Sequence, residues 1–198
     1  MPPVSTLVWI AVLALLVFWA VGAYNRLIRL KNIIGNAFGQ IDVQLKRRYD
    51  LIPNLVDVAK KYLQHEQQTL EAVIAARNQA RSASDAVRSR PANAAAVTAL
   101  AVAEQALDGS LGRLFAVAEA YPELKADQTL RELSEELTST ENKVGFARQA
   151  YNDAVLDYNN AQGQFPALLI ARLFGFAPSA MLQATESATE RQAVRIQM

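Results

Sequence analysis

The sequence lacks cysteine altogether and contains a single histidine, His65, among its 198 residues. Without cysteine the chain has no disulfide, no thiolate metal site, no lipid-modified cysteine and no cysteine nucleophile. With one histidine it can build neither a zincin site nor a di-iron cage based on Glu-x-x-His. Glycine and proline are scarce, at 8 and 7 residues, and alternating β-branched runs are missing. This composition favours long helices.

Few residues are arranged for chemistry. His65-Glu66 begins like a zincin helix, but Thr69 occupies the position of the second histidine. Glu132, Glu135 and Glu136 offer paired carboxylates for acid–base work, although clustered glutamates on an amphipathic helix are more often a solvated face. We therefore predict no catalytic residue, no cofactor and no enzyme activity. The alternative is a hydrolase that uses these carboxylates, alone or with a metal ion.

One long apolar run is present at the N-terminus. Val4 to Ala23 carries no charge, and a helix of this length spans about 30 Å, the thickness of a bilayer core. A cleaved signal peptide is the alternative, but the run is long and no Lys or Arg precedes it. Arg26, Arg29 and Lys31 follow the run directly. The positive-inside bias then predicts an outside N-terminus and a cytoplasmic bulk at the cell (inner) membrane; the alternative places the bulk outside.

A central stretch, residues 41–56, keeps apolar residues at helical spacing on both sides of Pro53. Proline removes a backbone donor and clashes with the carbonyl four residues earlier, so the helix must kink or break. Because the spacing continues across it, we predict one kinked helix from Tyr24 to about Arg81. In the competing interpretation, Asp50 caps a second helix after a turn.

The remaining sequence predicts further helices. Ser82 to Pro91 has the composition of a turn, a second helix runs to about Ala120, and Tyr121-Pro122 stops it. A third helix ends at Gly163 and Phe165-Pro166, and a short apolar segment, residues 167–176, follows. The predicted fold is all-α: an N-terminal transmembrane helix that continues into an elongated antiparallel bundle of three to four long helices. The predicted parts are an anchor (1–23), a bundle (24–176) and a polar tail (177–198).

The length of the first helix bears on assembly. A helix from Tyr24 to Arg81 would extend about 87 Å, beyond the reach of the two shorter ones. Its membrane-proximal face would stay bare unless another copy packed there. Gly35 and Gly39, with Phe38 between them, would allow close helix approach. A homo-oligomer is the expectation; if Pro53 instead marks a turn, four helices close into a monomeric bundle.

Charge divides unevenly, because residues 24–90 carry a net +6 and residues 91–198 a net −5. This division suits oppositely charged antiparallel helices, or arises by chance on a solvated surface. The predicted basic face, which would contact anionic lipid or an acidic partner, comprises Lys46, Arg47, Lys60 and Lys61. Five charged residues fall in or beside the apolar stripes and predict register-fixing ion pairs or a polar groove for a partner: Arg48, Glu66, Glu104, Glu141 and Arg148. The chain is not basic enough to suggest nucleic acid.

These segments resemble the LemA family of bacterial membrane proteins. The resemblance is carried by Tyr24-Asn25, residues 41–56, His65-Glu66, Tyr121-Pro122-Glu123-Leu124-Lys125, Glu141, Arg148, Tyr151-Asn152, Tyr158-Asn159 and Phe165-Pro166. It covers about residues 24–176 and leaves the tail after Pro178 outside. It implies one N-terminal span, a helical bundle, and no established activity or cofactor. Members often lie beside envelope quality-control proteins, including membrane proteases, in their genomes.

The function we predict is that of a non-catalytic helical scaffold or adaptor in the membrane. It would self-associate or bind another membrane protein such as a membrane protease, through Gly35, Phe38, Gly39, Lys46, Arg47, Arg48, Lys60 and Lys61. A membrane-shaping oligomer is a further alternative, because curved assemblies would use the same features.

Overall fold

The structure, a computed structural model, describes residues 3–182. Over this range the chain forms α1 (Val4–Lys60), α2 (Gln67–Ser89), α3 (Ala94–Ala118), α4 (Pro122–Ala126), α5 (Gln128–Gly163) and α6 (Ala167–Leu173). Residues 3–182 contain no strand. The predicted all-α class is confirmed, as are the helix ends near Ala120 and Gly163.

The second half of α1 packs with α2, α3 and α5 in an up-down-up-down bundle. α1 lies between α5 and α2, and α2 lies between α1 and α3. Buried leucine, isoleucine and valine side chains from all four helices meet in one continuous core. Stripes of apolar residues three and four apart form this core because such residues share one face of a helix.

The first 20 residues of α1, Val4 to Ala23, stand outside the bundle. One helix of the described chain is long and apolar enough to cross a membrane, and none of its apolar window is buried against other residues. A core helix of a soluble domain would have buried this window. The 57 residues of α1 correspond to about 86 Å of helix, so its second half projects directly from the apolar run.

α1 continues through Pro53 to Lys60. Proline has no N–H to donate to the carbonyl four residues earlier, that of Tyr49. The Arg77 Nε on α2 donates to the Tyr49 oxygen at 2.9 Å and so replaces the missing donor. The prediction that one helix continues through Pro53 is therefore correct, and the interpretation in which Asp50 caps a second helix is wrong.

The chain reverses at residues 61–66 instead, so the predicted helix to Arg81 is also wrong. Leu63 folds back into the core, where it is almost fully buried. The Tyr62 hydroxyl donates to Asp127 Oδ2 at 3.0 Å and ties the reversal to the start of α5. The segment contains neither glycine nor proline, so its turn is produced by packing and not by residues that favour turns.

The predicted turn over Ser82–Pro91 is helical as far as Ser89, and the connection to α3 spans only 90–93. Ser84 Oγ lies 3.3 Å from Asp42 Oδ1, and Arg88 Nε donates to Asp42 Oδ2 at 2.9 Å. These bonds to α1 hold the last turns of α2, although serine is a weak helix former. Burial opposes ionisation of Asp42, but Arg88 and Lys46 outweigh it and lower its pKa.

Candidate functional site

A groove opens along the side of the bundle where α3 and α5 do not pack closely against each other. Its cavity measures about 510 Å³, within the range of ligand pockets. Leu45 and Arg48 of α1 form the floor, Glu104 lies on the α3 wall, and Arg148 and Gln149 lie on the α5 wall. The groove therefore combines apolar and charged side chains along its length.

The Arg48 side chain extends from α1 to α3. Its guanidinium bonds Glu104 Oε2 at 2.8 Å and also pairs with Asp108, and the Tyr49 hydroxyl donates to Glu104 Oε1. The Arg48 and Glu104 side chains are only 7% and 15% exposed, so water screens the pair little. Burial raises the pKa of Glu104, and Arg48 does not fully offset this.

The Arg48 guanidinium itself stays charged. Burial disfavours its charge, but the Asp108 and Glu104 carboxylates outweigh burial and raise its pKa. An ion pair inside the bundle, one of the two interpretations of these charges, is thus present between Arg48 and Glu104. The Arg48 Nε is buried and has no hydrogen-bond partner within residues 3–182.

Residues 177–182 close the membrane-proximal part of the groove as an extended segment antiparallel to α5. Asn159 Nδ2 donates to the Ser179 oxygen at 2.9 Å and its Oδ1 accepts from the Ser179 N–H at 3.0 Å. Asn152 makes the same two bonds to Leu182, both 2.9 Å. Each amide side chain thus imitates the backbone of a neighbouring strand.

Two tyrosines complete this arrangement. Tyr158 donates to the Ala177 oxygen at 3.0 Å. The Tyr151 hydroxyl lies between two carbonyl oxygens, that of Pro91 at 3.1 Å and that of Ala180 at 3.3 Å, and shares its hydrogen between them. The Tyr-Asn pair therefore occurs twice on α5, seven residues apart, and each pair binds one part of the extended segment. The sequence shows both dipeptides, and two helical turns of separation could have placed them on one face. Their extended ligand could not be foreseen from local pattern.

The first residues of the predicted polar tail, which begins at 177, contact the bundle. Ser179 and Leu182 are buried against the bundle, so the segment belongs to it structurally. The rest of the predicted polar tail, residues 183–198, lies outside the described residues.

The membrane-proximal part of α1 around Gly35 and Gly39, called the stalk below, was predicted to contact another copy. This prediction is wrong for Phe38, which is 1% exposed in the core and packs on Tyr151 with ring centroids 6.1 Å apart. Gly35 is half-buried, and a Cβ there would lie 3.8 Å from Pro91. Gly39 is exposed. The stalk is covered because the chain reverses at 61–66, which leaves three further helices long enough to pack along it. The four-helix arrangement thus holds with the turn displaced from Pro53.

The predicted basic face is partly neutralised. Lys46 lies 2.9 Å from Asp42, and Arg47 Nε donates to Glu136 on α5 at 2.8 Å. Lys60 and Lys61 are exposed where α1 ends. Lys46 lies about 35 Å along the helix from Ala23, several Debye lengths away. This separation favours an acidic partner over the lipid headgroups at the end of the apolar run.

The residues considered for catalysis do not converge. Within residues 3–182 no cluster of three or more His, Asp or Glu is placed to hold a metal ion. Glu132 accepts from Gln128 at 2.9 Å, and Glu136 pairs with Arg47. Glu135 and His65 are exposed. These carboxylates therefore act as surface hydrogen-bond and ion-pair partners in the structure.

The comparison with known families decides the classification. A sequence model of the LemA family matches residues 37–198, most of the chain. The chain belongs to the LemA family. The match includes the tail, so the expectation that the resemblance stops near Pro178 is wrong. The bundle, the groove and the Tyr-Asn pairs described above are thus features of this LemA protein within the matched region.

Three curated proteins share similarity with part of the chain. Magnetosome protein MamQ 2 and magnetosome protein MamQ 1 of Paramagnetospirillum magneticum are each 32% identical over 78 residues. Magnetosome protein MamQ of Magnetospirillum gryphiswaldense is 30% identical over the same length. The match covers 39% of this chain and 29% of each relative. With the exposed apolar helix, these findings indicate a membrane-associated helical protein.

Proposed function

We propose that this LemA protein is a membrane-anchored, non-catalytic scaffold whose groove between α3 and α5 binds an extended segment of another envelope protein. The exposed apolar run of α1, Val4 to Ala23, is the anchor, and the positive-inside bias of Arg26, Arg29 and Lys31 favours a cytoplasmic bundle. The genomic neighbourhood of the family makes a membrane protease one candidate partner.

The single observation that carries the proposal is how the groove holds its own chain. Asn152 and Asn159 bind extended backbone at Leu182 and Ser179, and this mode of recognition depends little on side-chain identity. Beyond Leu182 the same groove continues past Gln149, whose side-chain amide offers the same donor and acceptor. A second extended segment can therefore continue the arrangement there.

Charge supports a partner that carries both polar and apolar groups. The groove places Arg148 on the α5 wall and Glu104 on the α3 wall, on either side of a floor that Leu45 and Arg48 form. The covered stalk removes the geometric reason for a homo-oligomer that the sequence suggested. A partner of different sequence is therefore the simpler occupant.

Site-specific photocrosslinking in native membranes tests the proposal. Phe146 is exposed on the rim of the groove, so replacing it with benzoylphenylalanine preserves the aromatic ring and places a reactive group at the binding site. Val102 is a matched control, because it is an exposed apolar residue of α3 that does not line the cavity. The expected product joins position 146 to one short segment of another membrane protein, and Gln149→Ala, which changes an exposed residue of the groove, reduces its yield.

Two results would refute the proposal. Equal products from positions 146 and 102 would show non-specific collision instead of binding in the groove. A product that contains only copies of this chain would show that the groove mediates self-association and does not bind a second envelope protein. The mass of the particle after detergent extraction, compared with the 21.7 kDa of one chain, would test self-association independently.

A further inference from the structure

A second apolar surface lies at the membrane-proximal end of the bundle, around α6 (Ala167–Leu173). Ile170 and Ala171 are buried on the side that packs against α1 and α5. The opposite side of α6 is also apolar, with Leu169 56% and Leu173 76% exposed. The helix therefore shows apolar side chains on two faces, and only one of them is covered by residues of the described chain.

Aromatic residues on both sides of α6 extend this bare surface. Phe165 is 80% exposed before the helix, and Phe174 is 57% exposed directly after it. Single exposed apolar side chains are common on proteins, but four within ten residues form a patch that needs an explanation. Arg172 is exposed between Leu169 and Leu173, so the patch also carries a positive charge.

The position of the patch indicates what covers it. The Phe174 ring packs edge-on against Tyr24, the residue that follows the uncharged run, with centroids 4.9 Å apart. On the other side, Phe165 and Pro166 line a small cavity together with Trp19 and Gly22 of that run. The Phe165–Pro166 loop and α6 thus lie level with the last turn of the uncharged run of α1. That turn marks the depth at which the hydrocarbon of the bilayer meets its headgroups.

We infer that α6 and the Phe165–Pro166 loop form an interfacial membrane-binding surface, with Leu169 and Leu173 immersed at the headgroup boundary of the bilayer that α1 crosses. This inference rests on the anchoring of the proposed function, and its occupant is the lipid surface. Aromatic and basic residues beside leucine side chains are the composition of helices that lie in this interface. Arg172, together with Arg26, would contact anionic headgroups.

The consequence is a fixed orientation of the bundle relative to the bilayer. A single span lets a rigid body tilt and rotate about its axis, whereas a second contact at the side of the span restricts both motions. Because α6 packs against α1 and α5, the bilayer contact also sets how the groove between α3 and α5 points away from the membrane.

The absence of cysteine makes the test direct, because single cysteines can be introduced without removing native ones. The full chain is reconstituted in vesicles of zwitterionic and anionic phospholipid, with an environment-sensitive fluorophore on Leu169→Cys or Leu173→Cys. Spin-labelled lipids then quench the fluorophore according to depth. Phe18→Cys reports on the anchor, and Val102→Cys is the exposed control remote from the membrane.

We expect quenching of the labels at 169 and 173 by lipids labelled near the headgroup, of the label at 18 by lipids labelled deep in the acyl chain, and none at 102. Labels at 169 and 173 that behave like the control, while 18 is quenched, would overturn the inference and leave the anchoring intact. Loss of quenching at 18 as well would overturn the anchoring itself.

A charge substitution supplies an independent readout. Leu169→Glu with Leu173→Glu alters two exposed side chains, so the bundle should fold as before, which circular dichroism checks. With the label on Phe165→Cys, the double substitution should reduce shallow quenching to the level of the Val102 control. Unchanged quenching would show that Leu169 and Leu173 do not hold this surface in the interface, and would overturn the inference.

Discussion

Arg77 is predicted to stabilise the bundle chiefly because Pro53 leaves the carbonyl of Tyr49 without a donor. The guanidinium lies 2.9 Å from that oxygen, and its side chain is only 15% exposed. Arg77 also lies 3.9 Å from Asp50, but the Asp50 side chain is 67% exposed, so this ion pair contributes little. A hydrogen bond from a charged donor contributes about 1.5–3 kcal/mol, so Arg77→Met should cost about 2 kcal/mol.

The double-mutant cycle with Pro53→Ala isolates this effect. The substitution restores a backbone N–H within reach of the Tyr49 carbonyl, so removing Arg77 no longer leaves that oxygen unpaired. In the Pro53→Ala background we therefore expect Arg77→Met to cost about 1 kcal/mol or less, a coupling of about 1 kcal/mol. The free energy of unfolding is measured by denaturant titration in detergent, with helicity followed by circular dichroism.

Arg81→Met is the matched control, one helical turn further along α2 on an exposed side chain. It should change the free energy of unfolding by less than about 0.5 kcal/mol in both backgrounds. Equal losses from Arg77→Met with and without the proline would refute the reasoning, because the donor would then matter for some reason other than Pro53.

Three further substitutions test the contacts around the groove and the stalk. Arg48→Met leaves Glu104 buried without its cation and should cost about 3 kcal/mol or more at neutral pH, measured by denaturant titration. Asp42→Asn should cost about 1 kcal/mol at neutral pH. Because the pKa of Asp42 is lowered in the folded protein, the carboxylate stabilises the fold above pH 3.8, and this stabilisation is lost as the pH falls through the folded pKa. The thermal unfolding temperatures of the native protein and the variant should therefore converge in acid. Asn152→Ala removes two hydrogen bonds to Leu182, about 2 kcal/mol, and should speed local amide exchange about 30-fold.

Each of these substitutions has a defined contradiction. The cost of Arg48→Met should be smaller in a Glu104→Gln background, and an equal cost there would count against the buried pair. A difference for Asp42→Asn that stays constant into acid would show that its charge does not contribute. For the exchange experiment, Asn160→Ala is the control, because Asn160 lies on the exposed side of α5. If residues 177–182 exchanged equally fast in Asn160→Ala and Asn152→Ala, the result would contradict the proposed role of the Asn152 backbone contact.

Local pattern was sufficient for the helices and for the apolar anchor segment. The apolar spacing on both sides of Pro53 correctly predicted that α1 continues, because residues three and four apart in sequence share one face of a helix. Pro122 and Gly163 likewise marked helix ends. The identity of the partner, the orientation in the membrane and the oligomeric state stay predictions.

Local pattern failed where a distant contact outweighs it. The chain turns at residues 61–66, where no residue favours a turn, because burying Leu63 and pairing α2 with α1 stabilises the reversal. It stays helical through Ser84, where a turn was predicted, because the serine and Arg88 bond to Asp42. The same reversal buries Phe38, which the sequence had assigned to contact between copies.

The sequence by itself determined that this protein is a set of amphipathic helices attached to one uncharged span, since both properties depend on neighbouring residues alone. Only the tertiary structure decided where the chain folds back, which carboxylates meet Arg48, and that the two Tyr-Asn pairs grip an extended segment beside an open groove. These features depend on side chains from 19 to 65 positions apart in the chain, and no local periodicity records which of them will meet.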